Sequence, residues 1–120
     1  MKLGVPLGPL GFVPQAEAGG IATWSYKVDP AHFNPNGALH GGVVMALLDT
    51  AMGRAVATLV EPDGQFNVAA EMNTHFLEPV RGGTLSATGR VRKRGKRLAV
   101  VEGEATDDSG RVVAIATAVH

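Results

Sequence analysis

The chain has 120 residues, of which 45% are hydrophobic and 18% charged, and this is the composition of a globular domain rather than a disordered segment. The formal net charge is zero, so the total charge indicates no nucleic-acid or polyanion partner. The absence of cysteine excludes disulfides, thiolate metal sites and a cysteine nucleophile, and it agrees with a reducing compartment.

The first residues do not resemble a signal peptide, because Gly4 and Pro6 interrupt them before an apolar region can form. The longest apolar run, residues 43–48, is far shorter than a membrane span. We therefore expect a cytoplasmic protein with no membrane and no nucleic-acid partner. The length predicts a single domain over residues 1–120.

The sequence before residue 40 predicts an arm, a strand and a turn. Residues 1–20 are rich in Gly and Pro and have little periodicity, which predicts an irregular N-terminal arm. Residues 21–28 alternate, with Trp24 and Tyr26 on one face, and this pattern is typical of a half-buried strand. Residues 34–37, Asn-Pro-Asn-Gly, then form a strong turn signal.

Residues 40–59 predict the only long helix of the chain. Its circumference is almost entirely apolar or small, and Asp49 and Arg54 are its only charged residues. Such a helix should be buried on most sides. Because one sheet covers only one side of a helix, we expect a second copy of the chain to cover the other.

Four strands are predicted after the helix, at residues 68–76, 85–91, 98–105 and 112–119, with a turn at 107–110 joining the last two. The order of strand, helix and four strands predicts an α+β fold. In this fold one long buried helix is wrapped by a curved antiparallel sheet of five to six strands. The last strand is apolar on both faces, so it should be central or at a subunit contact.

The predicted helix start, His40-Gly41-Gly42, is suited to binding an oxyanion. The first N–H groups of a helix lack intrahelical partners, and the helix dipole adds positive potential there. One well-placed donor of this kind stabilises a developing oxyanion by about 3 kcal/mol. The alternative is that the two glycines only start the helix or allow close packing.

Asp49 is a carboxylate in an otherwise apolar stretch. It is either a structural acid bonded to the backbone or to Arg54, or a general base or nucleophile. Gly41 and Asp49 are eight residues apart, which is about 12 Å along a helix. That distance is too long for both to contact one carbonyl group. If both are catalytic, the spacing predicts a site shared between two subunits.

A basic cluster lies at residues 92–97, which hold five of the eleven basic side chains. It is either a solvated hairpin that keeps sheet edges apart or a site for an anionic ligand. Strand alternation predicts that Arg90, Arg92 and Arg94 share one face.

The four histidines are scattered along the chain, so their spacing predicts no metal site. His75 is interpreted as a polar or interface side chain. No role is assigned to His32 or His120.

Asn34, the His40-Gly41-Gly42 string and an acid nine residues after the histidine resemble the hotdog-fold acyl-CoA thioesterases. The likeness is to the PaaI-like and hydroxybenzoyl-CoA thioesterase branch, and it extends through residues 71–79 and 110–114. It implies hydrolysis of an acyl-CoA thioester, with aryl- or arylacetyl-CoA favoured. It also implies homodimers with shared active sites that pair into tetramers, and no cofactor, because coenzyme A is part of the substrate.

The resemblance also implies roles for single residues. The backbone N–H of Gly41 would be the oxyanion donor, and Asp49 the nucleophile or general base. Asn34 would help to hold the thioester or the water. His40 would shape the loop and helix start, with some contact to the thioester region.

Four further residues are expected to bind substrate. Gly42 would lie beside the oxyanion donor, and the arginines of the basic cluster, Arg92, Arg94 and Arg97, would capture the phosphates of CoA.

One feature of the sequence departs from the family pattern. Family members often carry a hydroxyl side chain near the acid or on the facing strand, where it positions water. Here Gly53 and Ala69 occupy those places, and Thr50 points about 100° away from Asp49 on the helix.

Two other functions agree with the same fold. One is a hotdog hydratase or dehydratase with His40 as base, although two glycines and a helix start beside this histidine are not the setting of those enzymes. The other is a non-catalytic acyl-CoA-binding protein, which would gain nothing obvious from Asp49.

Overall fold

A computed structural model describes residues 2–120 as one antiparallel sheet with a single long helix against it. Two short 3-10 turns, Pro30–His32 and Glu61–Asp63, flank the helix. The strands follow the order β1-β2-β4-β5-β6-β3 in the six-stranded sheet. In chain order the elements are β1 (Val13–Ala18), β2 (Ile21–Lys27), α1 (Gly41–Val60), β3 (Glu71–Phe76), β4 (Thr84–Arg94), β5 (Ala99–Thr106) and β6 (Val112–Val119). The predicted α+β hotdog architecture is therefore confirmed.

The N-terminal arm contains a strand that the sequence pattern does not predict, so the interpretation of residues 1–20 as irregular is wrong for β1. This strand pairs antiparallel with β2. The carboxylate of Glu17 holds it in place by accepting hydrogen bonds from Trp24 Nε1 at 2.8 Å and from Arg54 Nη2 at 3.0 Å. Because the charged side chains of Glu17 and Arg54 attach β1 to the fold, its sequence does not show the apolar alternation by which a strand is recognised.

The helix crosses the sheet where β4 and β5 each carry a glycine. Gly89 and Gly103 are cross-strand partners. A Cβ atom at Gly89 would lie 2.6 Å from the carbonyl oxygen of Ala51, and one at Gly103 would lie 2.9 Å from the sulfur of Met52. The two bare positions let the helix backbone approach the sheet closely, and this contact fixes the position of α1.

The core lies between α1 and one face of the sheet. Alternate residues of β2 and β4 point into it, as predicted. β6 is flanked by β5 and β3, which agrees with its apolar character on both faces. The core side chains include Trp24, Tyr26, Leu47, Leu48, Met52, Leu85, Val101 and Val113.

The other side of α1 is only half-buried in the single chain, and Asp49 and Gly53 lie on that side. By length and composition, the segment Gly41–Asp63 could cross a membrane, with a mean hydropathy of 1.6. Half of that hydrophobic window is buried inside the protein, as expected for the core helix of a globular fold. The half-buried side faces away from the sheet, where the sequence predicts a second copy.

Candidate active site

The N-terminus of α1 presents one free backbone donor. His40 caps the helix, and its Nδ1 atom accepts the N–H of Gly42 at 3.0 Å. The N–H of Gly41 has no acceptor among residues 2–120. The Gly42 N–H is thus already in use, whereas the Gly41 N–H is available to a ligand.

The cap also defines what His40 can do. Because Nδ1 accepts a hydrogen bond, a neutral His40 carries its proton on Nε2. The exposed nitrogen is then a donor and not a base. This tautomer disfavours the hydratase interpretation, in which His40 removes a proton.

Asn34 lies beside Gly41, and both line a cavity of about 290 Å³ together with Phe76. The side-chain oxygen of Asn34 accepts the N–H groups of Asn36 at 2.9 Å and Ala38 at 3.2 Å. These bonds leave the amide nitrogen of Asn34 without a partner in the described part of the chain. This end of the helix therefore offers two neighbouring donors.

No structural partner among residues 2–120 forms a hydrogen bond with the carboxylate of Asp49. Its side chain is 49% exposed, and its Oδ1 atom makes no hydrogen bond to any described residue. Arg54, the partner expected in the structural interpretation, bonds Glu17 and Glu61 instead. The hydrogen bonds that Arg54 donates to Glu17, and then the one to Glu61, raise the pKa of Arg54 despite partial burial. The carboxylate of Asp49 is thus available for chemistry.

His120 is the functional candidate that sequence reasoning missed. Its side chain is 2% exposed, and its Nε2 atom lies 3.6 Å from Oδ1 of Asp49. On the other side of the ring, Nδ1 lies 2.7 Å from Oδ1 of Asn67. Burial lowers the pKa of His120 below its ordinary value, and the charge of Asp49 opposes this effect.

Gly53 makes room for His120. A Cβ atom at this position would lie 3.2 Å from Cε1 of the imidazole, which is tighter than an ordinary contact. Thr50, the nearby hydroxyl, is already bonded to the carbonyl oxygen of Ala46 at 2.8 Å. Gly53 stands where family members often carry a hydroxyl side chain, and the imidazole of His120 therefore has access to this position. A glycine inside a helix, one turn after the acid, was the only signal of this in the sequence.

Two separate regions of the chain hold the candidate groups. Asn34 and Gly41 share one cavity. Asp49 lines two others, one of about 330 Å³ with His120 and one of about 370 Å³ with Trp24. The chain brings Asn34 and Gly41 together, and it does not bring Asp49 to them.

The basic cluster is divided by a β-bulge at Arg92, where the pairing of β4 with β5 shifts by one residue. Arg92 lies on the outer face of the sheet, 3.6 Å from Glu102. After the bulge Arg94 points inward and donates to Asp63 at 2.8 Å. The prediction that Arg90, Arg92 and Arg94 share one face is therefore wrong.

The inward part of the basic cluster lines a cavity of about 580 Å³. Arg94, Lys96 and Arg97 line it together with Phe66 and His120. Phe66 and His120 also line the cavity of Asp49. A continuous surface thus leads from the acid to three basic side chains, and Arg92 is not part of it.

The sequence model of the Thioesterase superfamily matches residues 36–114, and the chain belongs to this superfamily. The chain is 32% identical over 90 residues to acyl-coenzyme A thioesterase 13 of Homo sapiens, covering 73% of this chain and 63% of that protein. A Saccharolobus solfataricus protein is 42% identical over 79 residues, which cover 65% of this chain and 51% of that protein. The chain thus spans between about half and two-thirds of the length of these curated relatives.

Solved structures have the same architecture. The PaaI protein of the Escherichia coli phenylacetic acid degradation operon superposes with a TM-score of 0.82 at 30% identity, covering 92% of this chain and 78% of that one. A Bacillus halodurans protein solved with CoA superposes with a TM-score of 0.77 at 38% identity, covering 81% of this chain and 64% of that one.

Proposed function

We propose that the protein hydrolyses the thioester of an acyl-CoA, with aryl- or arylacetyl-CoA favoured, in a site shared by two copies of the chain. The observation that carries this proposal is the separation of the donors at Gly41 and Asn34 from the acid at Asp49. Eight residues of helix hold Gly41 and Asp49 about 12 Å apart. A second copy, with its helix antiparallel to the first, would place each Gly41 beside the partner's Asp49.

The free edge of the sheet supports such a pairing. β3 is an outer strand of the six-stranded sheet, with its unpaired backbone groups on one side. Phe76 and Leu77, at its end, are each about half exposed. Pairing of β3 with β3 of a second copy would satisfy the backbone groups and extend the sheet. The same two-fold axis would bring the half-buried sides of the two α1 helices together, and we propose that two such dimers form a tetramer.

The reaction needs only water and the groups already described. The carbonyl oxygen of the thioester would accept the Gly41 N–H, which stabilises the oxyanion by about 3 kcal/mol. Asn34 would hold the thioester or the water from the same side. Asp49 of the other copy would attack the carbonyl carbon directly or remove a proton from water, and CoA would leave as the thiolate.

The cavities suggest where the parts of the substrate bind. The phosphates of CoA would lie against Arg94, Lys96 and Arg97, since charge-assisted hydrogen bonds to phosphate are strong. The acyl group would enter the cavity lined by Trp24 and the apolar end of the N-terminal arm. The CoA in the related Bacillus halodurans structure supports a CoA ligand for this fold.

The test is release of free thiol from a panel of short, medium, long and aromatic acyl-CoAs. Asp49→Asn should lower kcat at least ~100-fold while acyl-CoA binding persists. Asp108→Asn, which changes a carboxylate in a remote turn, is the matched control and should keep wild-type turnover. Binding without any thiol release would favour the non-catalytic alternative, and normal turnover of Asp49→Asn would remove the role of Asp49.

A further inference from the structure

We propose that His120 is a positioning residue that makes Asp49 a general base toward water, by accepting at Nε2 the proton that Asp49 takes up. This inference rests on the proposed thioesterase function and decides between its two routes. It starts from the two polar atoms that face each other between α1 and the end of β6. Oδ1 of Asp49 and Nε2 of His120 are both buried, lie 3.6 Å apart, and have no hydrogen-bond partner among the described residues.

Asn67 fixes the orientation of the imidazole. Its amide nitrogen donates to the carbonyl oxygen of Gly53 at 3.2 Å, so its amide oxygen faces Nδ1 of His120 at 2.7 Å. An amide oxygen accepts a hydrogen bond, and therefore Nδ1 carries the proton of the neutral ring. Nε2, which lies 3.6 Å from Oδ1 of Asp49, then carries the lone pair. The backbone of His120 is held as well, because its N–H and its carbonyl oxygen both bond Ala99.

In the resting state, Oδ1 of Asp49 and Nε2 of His120 are therefore both hydrogen-bond acceptors, and no proton lies between them. Moving the ring proton to Nε2 would satisfy Asp49, but it would leave two acceptors facing each other at Asn67. One additional proton satisfies every group, whether it resides on the carboxyl or on the imidazole. The site thus gains a hydrogen bond only after a proton has been taken up. That gain is made during the reaction and not in the ground state, and so it accelerates the proton transfer.

The proposed step balances as follows. Asp49 takes one proton from water while the water oxygen bonds to the thioester carbon, and the carbonyl electrons move to the oxygen held by the Gly41 N–H of the other copy. A half turn of the carboxyl group, whose terminal torsion is broad, presents the proton to Nε2 of His120. The carbon–sulfur bond then breaks, the thiolate takes that proton, and the carboxylate and neutral imidazole are restored.

Other charged groups near the ring are either paired or more distant than Asp49. Within 4 Å, Asp49 is the only charged partner of His120 among residues 2–120. Arg54 is bonded to two carboxylates and Arg94 to one. The charged residues that line the two cavities beside the ring are Asp49, Arg54 and Glu61 from the helix side and Arg94, Lys96 and Arg97 from the β4–β5 hairpin.

The direction of the pH dependence follows from burial. Because burial lowers the pKa of His120, the ring stays neutral, and able to accept a proton, to a pH below the ordinary value of about 6.5. Activity should fall only when the pH drops low enough to protonate the ring. Asn67→Asp places a negative charge against Nδ1, which favours the imidazolium and moves this loss of activity to higher pH.

The kinetic test compares four variants of the full chain. His120→Gln should lower kcat at least ~10-fold with little change in KM, and the loss of activity assigned to the ring should disappear from its pH profile. Gly53→Ala keeps the histidine but crowds its ring, and should also lower kcat. Asn67→Asp should move the profile to higher pH. Val119→Ala removes two methyl groups from the neighbouring residue and leaves the ring in place, and should keep the wild-type profile.

A titration of the imidazole by NMR, without substrate, tests the pair independently of turnover. The His120 signal is assigned by its absence in His120→Gln. Its midpoint should move to lower pH in Asp49→Asn, because the carboxylate charge is lost, and to higher pH in Asn67→Asp. A midpoint unaffected by Asp49→Asn, or a His120→Gln enzyme with wild-type kcat and pH profile, would overturn the inference. A wild-type protein that releases no thiol would overturn the proposed function instead. The titration would still show whether Asp49 and His120 interact.

Discussion

Among the arginines of the basic cluster, Arg97 makes no ion pair with any residue between 2 and 120, whereas Arg92 lies 3.6 Å from Glu102 and Arg94 is bonded to Asp63. It is exposed and lines the cavity that leads to His120. A cation without an internal partner can meet an incoming phosphate without first breaking a bond. Among the arginines expected to bind CoA, Arg97 is thus the one whose charge is most available.

We predict that Arg97→Gln raises the KM for an acyl-CoA about fivefold, which corresponds to roughly 1 kcal/mol for one exposed charge contact. The KM for the matching acyl-pantetheine, which lacks the nucleotide phosphates, should not change. Arg90→Gln, on the outer face of the same hairpin, is the matched control and should alter neither value. Equal effects on the two substrates would mean that Arg97 acts on the fold and not on the phosphates.

At the scale of elements, the glycines of β4 and β5 set the distance between the helix and the sheet. The atoms that a Cβ at Gly89 would meet are backbone atoms of Ala51 and Met52, which no side-chain rotation can move. The helix would have to shift away from the strand to accept any side chain there. Such a shift would open the core along the whole length of α1.

Gly89→Ala should therefore lower the free energy of unfolding by at least ~3 kcal/mol, at the upper end of the effects of overpacking. Gly82→Ala is the matched control. A Cβ at Gly82 meets nothing within 4 Å, so the substitution should change stability by less than ~0.5 kcal/mol. Denaturant unfolding of the two variants measures the difference. Equal midpoints would show that the helix can shift without loss.

The elements that sequence reasoning predicted are those defined by apolar periodicity. α1 begins and ends within one residue of its predicted bounds, and β4 buries the predicted face. β1 was missed because Glu17, whose partners lie in β2 and α1, attaches it to the rest of the fold. The bulge at Arg92 was missed because one extra residue in a strand changes no local property of the sequence.

At the scale of the whole molecule, the sequence predicts those parts of the site whose residues lie close together along the chain. Asn34 and Gly41 belong to one loop, and the rise of a helix separates Gly41 from Asp49. His120 could not be placed in the same way. It meets Asp49 only because β6 runs beside β5 and ends near the middle of the helix, and that contact depends on sheet order.

Gly41→Pro is a suitable way to remove the oxyanion donor. Proline is tolerated at the first position of a helix, and it lacks only the N–H group, which has no acceptor in the described chain. The residue before a proline must be extended, and His40 already has φ −61° and ψ 131°. The ring would press on Phe76, which is 52% exposed and has room to move.

A mixture of Gly41→Pro and Asp49→Asn should recover activity that neither variant has alone. In a mixed two-fold dimer with shared sites, one site combines both defects and the other has neither. Complete exchange in an equal mixture should therefore restore about a quarter of the wild-type turnover. Mixed dimers are verified by native mass spectrometry, and each variant mixed with wild type is the control. If the two groups of one chain acted together, every mixed dimer would be inactive, and the shared site would be excluded.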